Sequence, residues 1–354
     1  MKVLALRERF AHMSAVSGYD ALYSHFPQDI EVNSIYCDFK KMYPRGIGRI
    51  LQNTAKLASA SGFYNAQSVE AEARLMVQTI KKSPDIVHYS YGEPYFGFAG
   101  LLKNIFRGPV VVTNHQPVSW WQQHERFSTK YRKADRVICL TEFDRDYFNT
   151  LFPKKAICIP HGVDVDFFKP GSIDENERRT FNAVFVGRYL RDTGTLVKMI
   201  KKMSQSEINI RFDIVYSDKS EVTGTPLNDI KDLAVVNWHT DISEAELLLL
   251  YQAADCCVIP LLDCTANNAI LESLACGLPV IATDLPSVRT YLDKSAAILT
   301  RKGNPDDLCQ AIELLYTDKK LRIDMGVHAR QMAAEKFDWN VIAAQTAQLF
   351  LNLL

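Results

Sequence analysis

The chain has 354 residues, of which 47% are hydrophobic and 23% charged, with 16 Gly and 14 Pro, a balance that excludes disordered, collagenous and low-complexity proteins. This length suits two domains, each able to bury its own core. The 41 basic and 41 acidic side chains cancel overall, yet residues 1–170 carry 22 basic and 16 acidic groups while the remainder carries 19 and 25. Halves of opposite sign fit two domains with different ligands.

Short apolar, β-branched runs alternate with helical patterns along most of the chain. The first half predicts strands at Val3–Leu6, Ile30–Ile35, Ile86–Tyr89, Val110–Thr113, Val137–Leu140 and Ala156–Ile159. The pattern restarts after Pro170–Arg179, a Pro-, Gly- and acid-rich linker, with strands at Ala183–Val186, Arg211–Val215, Val235–Trp238, Cys256–Ile259, Val280–Ala282 and Ala297–Leu299. Continuous apolar strands separated by helices indicate parallel sheets covered on both faces. The expected fold class is therefore α/β, with two doubly wound, Rossmann-like domains facing across a cleft. The last helix, 339–354, is apolar nearly all round, so it is expected to pack back on the first domain. The boundaries read as residues 1–168 plus 339–354, and 169–338.

The eight cysteines form no CxxC pair and no zinc-spaced set with histidine, which implies free thiols, no metal and a reduced, cytoplasmic protein. The N-terminal apolar stretch is too short for a signal peptide, and Asp255 or Glu272 interrupts the most apolar windows before they could span a bilayer. Lys40, Lys41, Arg45, Arg49 and Lys56 are interleaved with Phe39, Met42, Tyr43, Ile47, Ile50 and Leu51. Such a segment suits either a solvated helix and loop or an anionic membrane surface, the latter making the protein peripheral at the inner face. No nucleic-acid motif accompanies it.

The densest chemical signal runs from Pro260 to Asp284 and reads as strand, polar loop, helix, Gly–Pro turn and strand. Cys264 and Thr265 lie in the polar loop, and Asn267 or Asn268 caps the helix. The amides of its first turn, up to Ile270 and Leu271, then suit a diphosphate. Glu272, one turn further along among apolar neighbours, could accept hydrogen bonds from two sugar hydroxyls. Arg188 follows a glycine at the end of a strand, a fitting place for a phosphate clamp. In the first half, His115 stands just past the strand Val110–Thr113. Trp120 nearby serves either the core or a sugar-stacking wall. Glu93, in Tyr91-Gly92-Glu93-Pro94, lies at a sheet edge where it could touch acceptor hydroxyls.

Leu271-Glu272-Ser-Leu-Ala-Cys-Gly277-Leu-Pro279-Val resembles the donor-site helix and turn of the retaining glycosyltransferases of the GT-B fold, family 4. Three further stretches match in order: Ile159-Pro-His-Gly-Val-Asp164, Phe185-Val-Gly-Arg188, and Tyr251-Gln-Ala-Ala-Asp-Cys-Cys-Val-Ile-Pro260. The resemblance implies a metal-independent transferase without a cofactor, using a nucleotide-sugar donor, UDP- or GDP-linked, and a glycan or lipid-linked acceptor. It assigns Glu272 to the donor ribose, Arg188 to the diphosphate and His115 to the reacting sugar. Two positions depart from the family: Cys264 replaces a glutamate, and Thr193 replaces a phosphate-neutralising lysine, for which Arg191 is the expected substitute. The family's Gly-rich loop after the first strand keeps only Gly18 here, with Ser17 and His12 as acceptor-side candidates. A non-catalytic sugar-nucleotide-binding protein of the same fold is the alternative, and the absence of GxGxxG after either first strand argues against a dinucleotide oxidoreductase.

Overall fold

The computed structural model describes residues 1–8, 16–38, 40–58, 63–106, 108–171, 180–216 and 222–354. These form two compact units: Met1–His161 with Trp339–Leu354, and Gly162–Asp338. Each contains a six-stranded, wholly parallel sheet.

In the first unit the strands are β1 (Lys2–Arg7), β2 (Glu31–Tyr36), β3 (Ile86–Tyr89), β4 (Val110–Asn114), β5 (Arg136–Cys139) and β6 (Ala156–Cys158), in the order β2-β1-β3-β4-β5-β6. In the second they are β7 (Phe181–Val186), β8 (Ile210–Val215), β9 (Val236–His239), β10 (Cys256–Ile259), β11 (Val280–Thr283) and β12 (Ala297–Thr300), in the order β12-β11-β10-β7-β8-β9. All twelve lie where the apolar runs place them, with ends displaced by a residue or two. The central strands β3, β4, β10 and β11 are buried on both faces, which is why they read as unbroken apolar runs rather than alternating ones.

The order fixes where each unit can hold a ligand. The winding direction reverses between β1 and β3 in the first sheet and between β7 and β10 in the second. At such a reversal the loops leaving the strands' carboxyl ends diverge and open a crevice. Eight residues matched to the linker, 172–179, lie outside the described residues, as do His12 and Phe39.

Six helices matter for the function: α1 (Arg45–Ala58), α2 (Ala66–Lys82), α3 (Thr193–Met203), α4 (Asn268–Ala275), α5 (Lys319–Met332) and α6 (Trp339–Leu351). The expected return of the last helix occurs. The indole Nε1 of Trp339 on α6 donates to the Val16 carbonyl at 3.0 Å, and Phe350 packs against Phe26 and His88. In the second unit α4 ends at Gly277, whose φ of +72° suits a residue without a side chain. There α5 crosses so closely that a Cβ on Gly326 would stand 2.4 Å from the Gly277 carbonyl oxygen. Arg330, one turn further along α5, donates to the carbonyls of Ala275, Val165 and Phe168 and so completes the end of α4.

This crossing gives a direct test. Gly326→Ala must push α5 away from the α4 turn, and overpacking of this kind costs about 1–3 kcal/mol. Denaturant unfolding of the variant should show that loss, whereas Gly303→Ala, with open space around it, should show only the smaller strain of its own φ of +71°.

Candidate functional site

The crevice of the second unit is built by two loops that are stitched together. After β7, Gly187 turns the chain at φ +92°, and a Cβ there would approach Arg191 Nη2 to 3.0 Å. Arg191 points inward, with Nε donating to the Val186 carbonyl (3.0 Å), Nη1 to the Tyr189 carbonyl (3.2 Å) and Nη2 to Asn267 Oδ1 (3.1 Å). The backbones join as well: the Asp192 amide donates to the Pro260 carbonyl and the Leu262 amide to the Leu190 carbonyl, both at 2.9 Å. The Asp192 carboxylate caps α3 through the Thr195 amide and hydroxyl.

Asn267 is the cap of α4, its side chain accepting from the Ile270 amide. The amides of Ile270 and Leu271 are already bonded to Asn267, and both side chains are in the core. What α4 offers to a ligand is therefore its first two amides, at Asn268 and Ala269. Beside them are two buried polar atoms with no hydrogen-bond partner among the described residues, Thr265 Oγ1 and Asn267 Nδ2. A buried amide or hydroxyl left unsatisfied costs about 1–3 kcal/mol, so both groups would gain from a further hydrogen-bonding partner. Asn267 is thus held by one atom and open at the other. The Cys264 thiol donates to the Thr265 carbonyl at 3.0 Å. Arg188 is exposed on the loop after β7.

Glu272 lies one turn into α4 and is buried, and its Oε2 accepts from the Tyr251 hydroxyl at 2.8 Å. Tyr251 is fully buried, and its own ionisation is pushed far up by desolvation first and then by the Glu272 charge. It therefore remains a donor at any ordinary pH. Tyr251 was visible in the sequence only as part of a matching stretch, and its partnership with Glu272 carried no signal there.

At the crevice of the first unit, β4 runs into a pinned turn. Glu93 Oε1 accepts from the amides of His115 (2.6 Å) and Gln116 (2.8 Å). Asn114 and Trp121 close the turn from the other side, with the Trp121 indole donating to Asn114 Oδ1 at 2.6 Å. Glu93 thereby shapes the loop that carries His115. The His115 ring is stacked on Tyr91 at 3.9 Å and meets the edge of Tyr19 at 4.8 Å. Its Nε2 lies 2.8 Å from the Ser90 carbonyl, which accepts only, so Nε2 carries the proton and Nδ1 is the acceptor. Burial, followed by the neighbouring His161, lowers the ring's pKa to about 3. At neutral pH His115 is an uncharged hydrogen-bonding group.

Ser17 is buried, and Gly18 has φ −72°, so this glycine is not needed for a left-handed turn. Trp120 stacks on His124 at 4.0 Å, with Trp121 against its edge, while Trp121 itself belongs to the aromatic core with Phe127, Tyr131 and Phe148. Glu8 had no assigned role. It follows β1 at the crevice and is 1% exposed, and among the described residues its carboxyl group has only the Tyr95 hydroxyl as a hydrogen-bonding neighbour. An acidic residue immediately after a central strand is the signal that could have revealed it.

Two family models match the chain: glycosyltransferase family 4 over residues 50–167, and glycosyl transferases group 1 over residues 180–318. The chain belongs to the group 1 glycosyltransferases of family 4. Among curated relatives, a D-inositol 3-phosphate glycosyltransferase of Paenarthrobacter aurescens is 29% identical over 80% of this chain and 76% of its own length. That of Corynebacterium jeikeium is 30% identical over 55% of this chain and about half of its own length, 51%. Sucrose-phosphate synthase of Thermosynechococcus elongatus shares the fold, with a TM-score of 0.72, 19% identity and coverage of 99% and 98% of the two chains. HepE of Anabaena, solved with UDP, gives a TM-score of 0.73 at 15% identity over all of both chains. The two parallel six-stranded sheets are those of the GT-B fold.

Two features of this family 4 glycosyltransferase can be tested on the protein alone. Arg191 ties the β7 loop to the α4 cap, and hydrogen bonds from a charged donor are worth about 1.5–3 kcal/mol. Arg191→Ala should destabilise the second unit by about that amount in denaturant unfolding. Arg191→Lys should fail to restore it, because one ammonium cannot reproduce the fork.

The second test is pH dependence. Burial raises the carboxyl pKa of Glu8 to about 8 and those of Glu72 and Glu93 to about 7. Each therefore binds a proton more readily folded than unfolded. The resulting stabilisation is complete below the ordinary carboxylate range, near pH 4.5, and is lost as pH rises through 7 to 8. The melting temperature of the first unit should fall between pH 5 and 9, and Glu8→Gln should flatten the alkaline part of that fall. A profile unchanged by Glu8→Gln would show that Glu8 ionises normally.

Proposed function

We propose that this chain is a retaining glycosyltransferase that moves a sugar from a nucleoside-diphosphate donor, held by the second unit, to a sugar-bearing acceptor, held by the first. The observation that carries the donor assignment is the group of uncommitted donors at the head of α4. Thr265 Oγ1, Asn267 Nδ2 and the amides of Asn268 and Ala269 all belong to the loop and first helical turn that follow β10, the strand at the reversal point of the sheet. Backbone and side-chain donors at a helix N-terminus favour phosphate oxygens, and Arg188 adds a full charge close by in the chain. Those groups would stabilise the diphosphate as its bond to the sugar breaks, with no metal or cofactor assigned to the step. UDP- and GDP-sugars are the preferred donors. HepE's complex with UDP supports that choice.

Glu272, fixed by Tyr251, is assigned to the ribose hydroxyls. Retention is supported by the state of His115: a neutral ring with Nε2 committed to Ser90 suits a hydrogen bond from a sugar hydroxyl at Nδ1 better than proton abstraction. The acceptor oxygen would bond to the anomeric carbon on the face the diphosphate leaves, its proton departing with the diphosphate. The basic excess of residues 1–170 supports a glycan acceptor carried on a lipid, as in polysaccharide assembly at an inner membrane face. A second reading, a non-catalytic sugar-nucleotide-binding protein, draws support from Cys264, a thiol already engaged with Thr265 where the family has a carboxylate.

A thermal-shift screen of UDP-, GDP- and ADP-sugars tests the donor, since a ligand that binds only the folded chain raises its melting temperature. One class should shift wild type and leave Glu272→Ala unshifted. Nucleoside diphosphate release from that donor, with product of unchanged anomeric configuration by NMR, completes the reading. Binding without release favours the non-catalytic one, and inverted product refutes retention.

A further inference from the structure

The helix α1 (RGIGRILQNTAKLA) contains no acidic residue and exposes what a surface helix normally hides. It packs on α2 through Ala55 and Ala58, with Leu51 partly covered, against Tyr64 and Val69. Beyond that seam Ile50 is 67% and Leu57 90% exposed, with Ile47 at 52% between them and the seam and Met42 at 92% just before the helix. At 100° per residue, Ile50 and Leu57 fall 20° apart and Ile47 borders them. Arg45, Arg49 and Lys56 fall within 40° of one another on the adjoining flank, all exposed. None of these three cations pairs with a described carboxylate, unlike Lys41, which is bound to Glu70 at 3.0 Å. An open groove of about 640 Å³ runs beside the helix and is bordered by Lys41, Lys56 and Tyr43.

We propose that α1 is the surface by which this protein docks on an anionic lipid bilayer. Ile47, Ile50 and Leu57 enter the boundary between headgroups and acyl chains, while Arg45, Arg49 and Lys56 lie against lipid phosphates. The pattern fits a plane rather than a protein groove. A row of apolar side chains beside a row of cations that pair with no described carboxylate, with no acid on the helix, matches a surface that is apolar below and uniformly negative above. Long Arg and Lys stems allow the charges to stay at headgroup level while the neighbouring apolar row sinks. No helix of the described residues is long and apolar enough to cross a membrane, so attachment through α1 is to one face only. This deepens the lipid-borne acceptor proposed above, but its test uses no sugar substrate.

The test is flotation of the full chain with vesicles of phosphatidylcholine alone or with 30% phosphatidylglycerol, at low and high salt. Wild type should bind the anionic vesicles at least tenfold better than the neutral ones, with most of that difference lost in about 0.5 M salt. Ile50→Asp/Leu57→Asp and, separately, Arg45→Glu/Arg49→Glu should each reduce binding at least tenfold. Val327→Asp, at an exposed apolar position on α5, should bind as wild type does. Because all four α1 positions are exposed, circular dichroism and melting should stay unchanged.

Failure of wild type to float with anionic vesicles, or full binding by the Ile50/Leu57 variant, overturns the proposal. So does a concentration-dependent dimer of wild type that the same variant abolishes, which would make α1 a protein contact. A null result with vesicles beside a positive nucleotide-sugar shift refutes the docking surface alone. The reverse pair refutes the transferase reading alone.

Discussion

The Arg191 guanidinium is the interaction on which the second unit's crevice depends. A parallel sheet brings the ends of β7 and β10 side by side but does not fix the loops that leave them. Arg191 does so by binding one loop's carbonyls with two of its nitrogens and the other loop's Asn267 with the third. Asn267 in turn sets the start of α4. One charged side chain therefore determines where the open amides of Asn268 and Ala269 point relative to Arg188. The sequence suggested a different task for Arg191, replacing a phosphate-binding lysine. The geometry commits three of its five N–H donors to the protein, leaving one on each terminal nitrogen, so its main work is to shape the site.

The first unit uses buried carboxyls for a similar purpose. Glu93 holds the turn bearing His115, and Glu72 gathers the hydroxyls of Tyr64 and Tyr89 with the amides of Gly97 and Phe98. Both are satisfied by several donors, which offsets much of the cost of burying them. Glu8 is different: it is as deeply buried, but among the described residues its hydrogen-bonding neighbour is a single hydroxyl, that of Tyr95, so less of its burial is offset. Tyr19, in contact with Tyr91, His115, His161 and Trp339, joins the floor of the same crevice to α6.

Much of this was legible in the sequence because it is local. Every strand was visible as an apolar run, and α4 with its asparagine cap could be read from Pro260 to Asp284. The polar residues Thr265 and Asn267 were visible too, though not which of their atoms would be left open. What was hidden depends on residues far apart in the chain. Arg191 meets Asn267 76 positions away, Tyr251 meets Glu272 across 21, and Tyr19 meets Thr113 across 94. No periodicity encodes such pairs. The amphipathic character of residues 40–57 was legible as composition, but only the packing of α1 on α2 shows which apolar residues are left outside.

The return of α6 to the first unit has a consequence for how the molecule is made. On the ribosome, residues 1–161 emerge first, but the indole that bonds to Val16 and the phenyl ring that covers His88 arrive only after all of Gly162–Asp338 has been synthesised. The second unit can finish folding from contiguous chain. The first must wait with an apolar flank uncovered until Trp339–Leu354 has been made. Order of synthesis and order of completion are thus reversed between the two units, which makes the nascent first unit the stage most in need of chaperone cover.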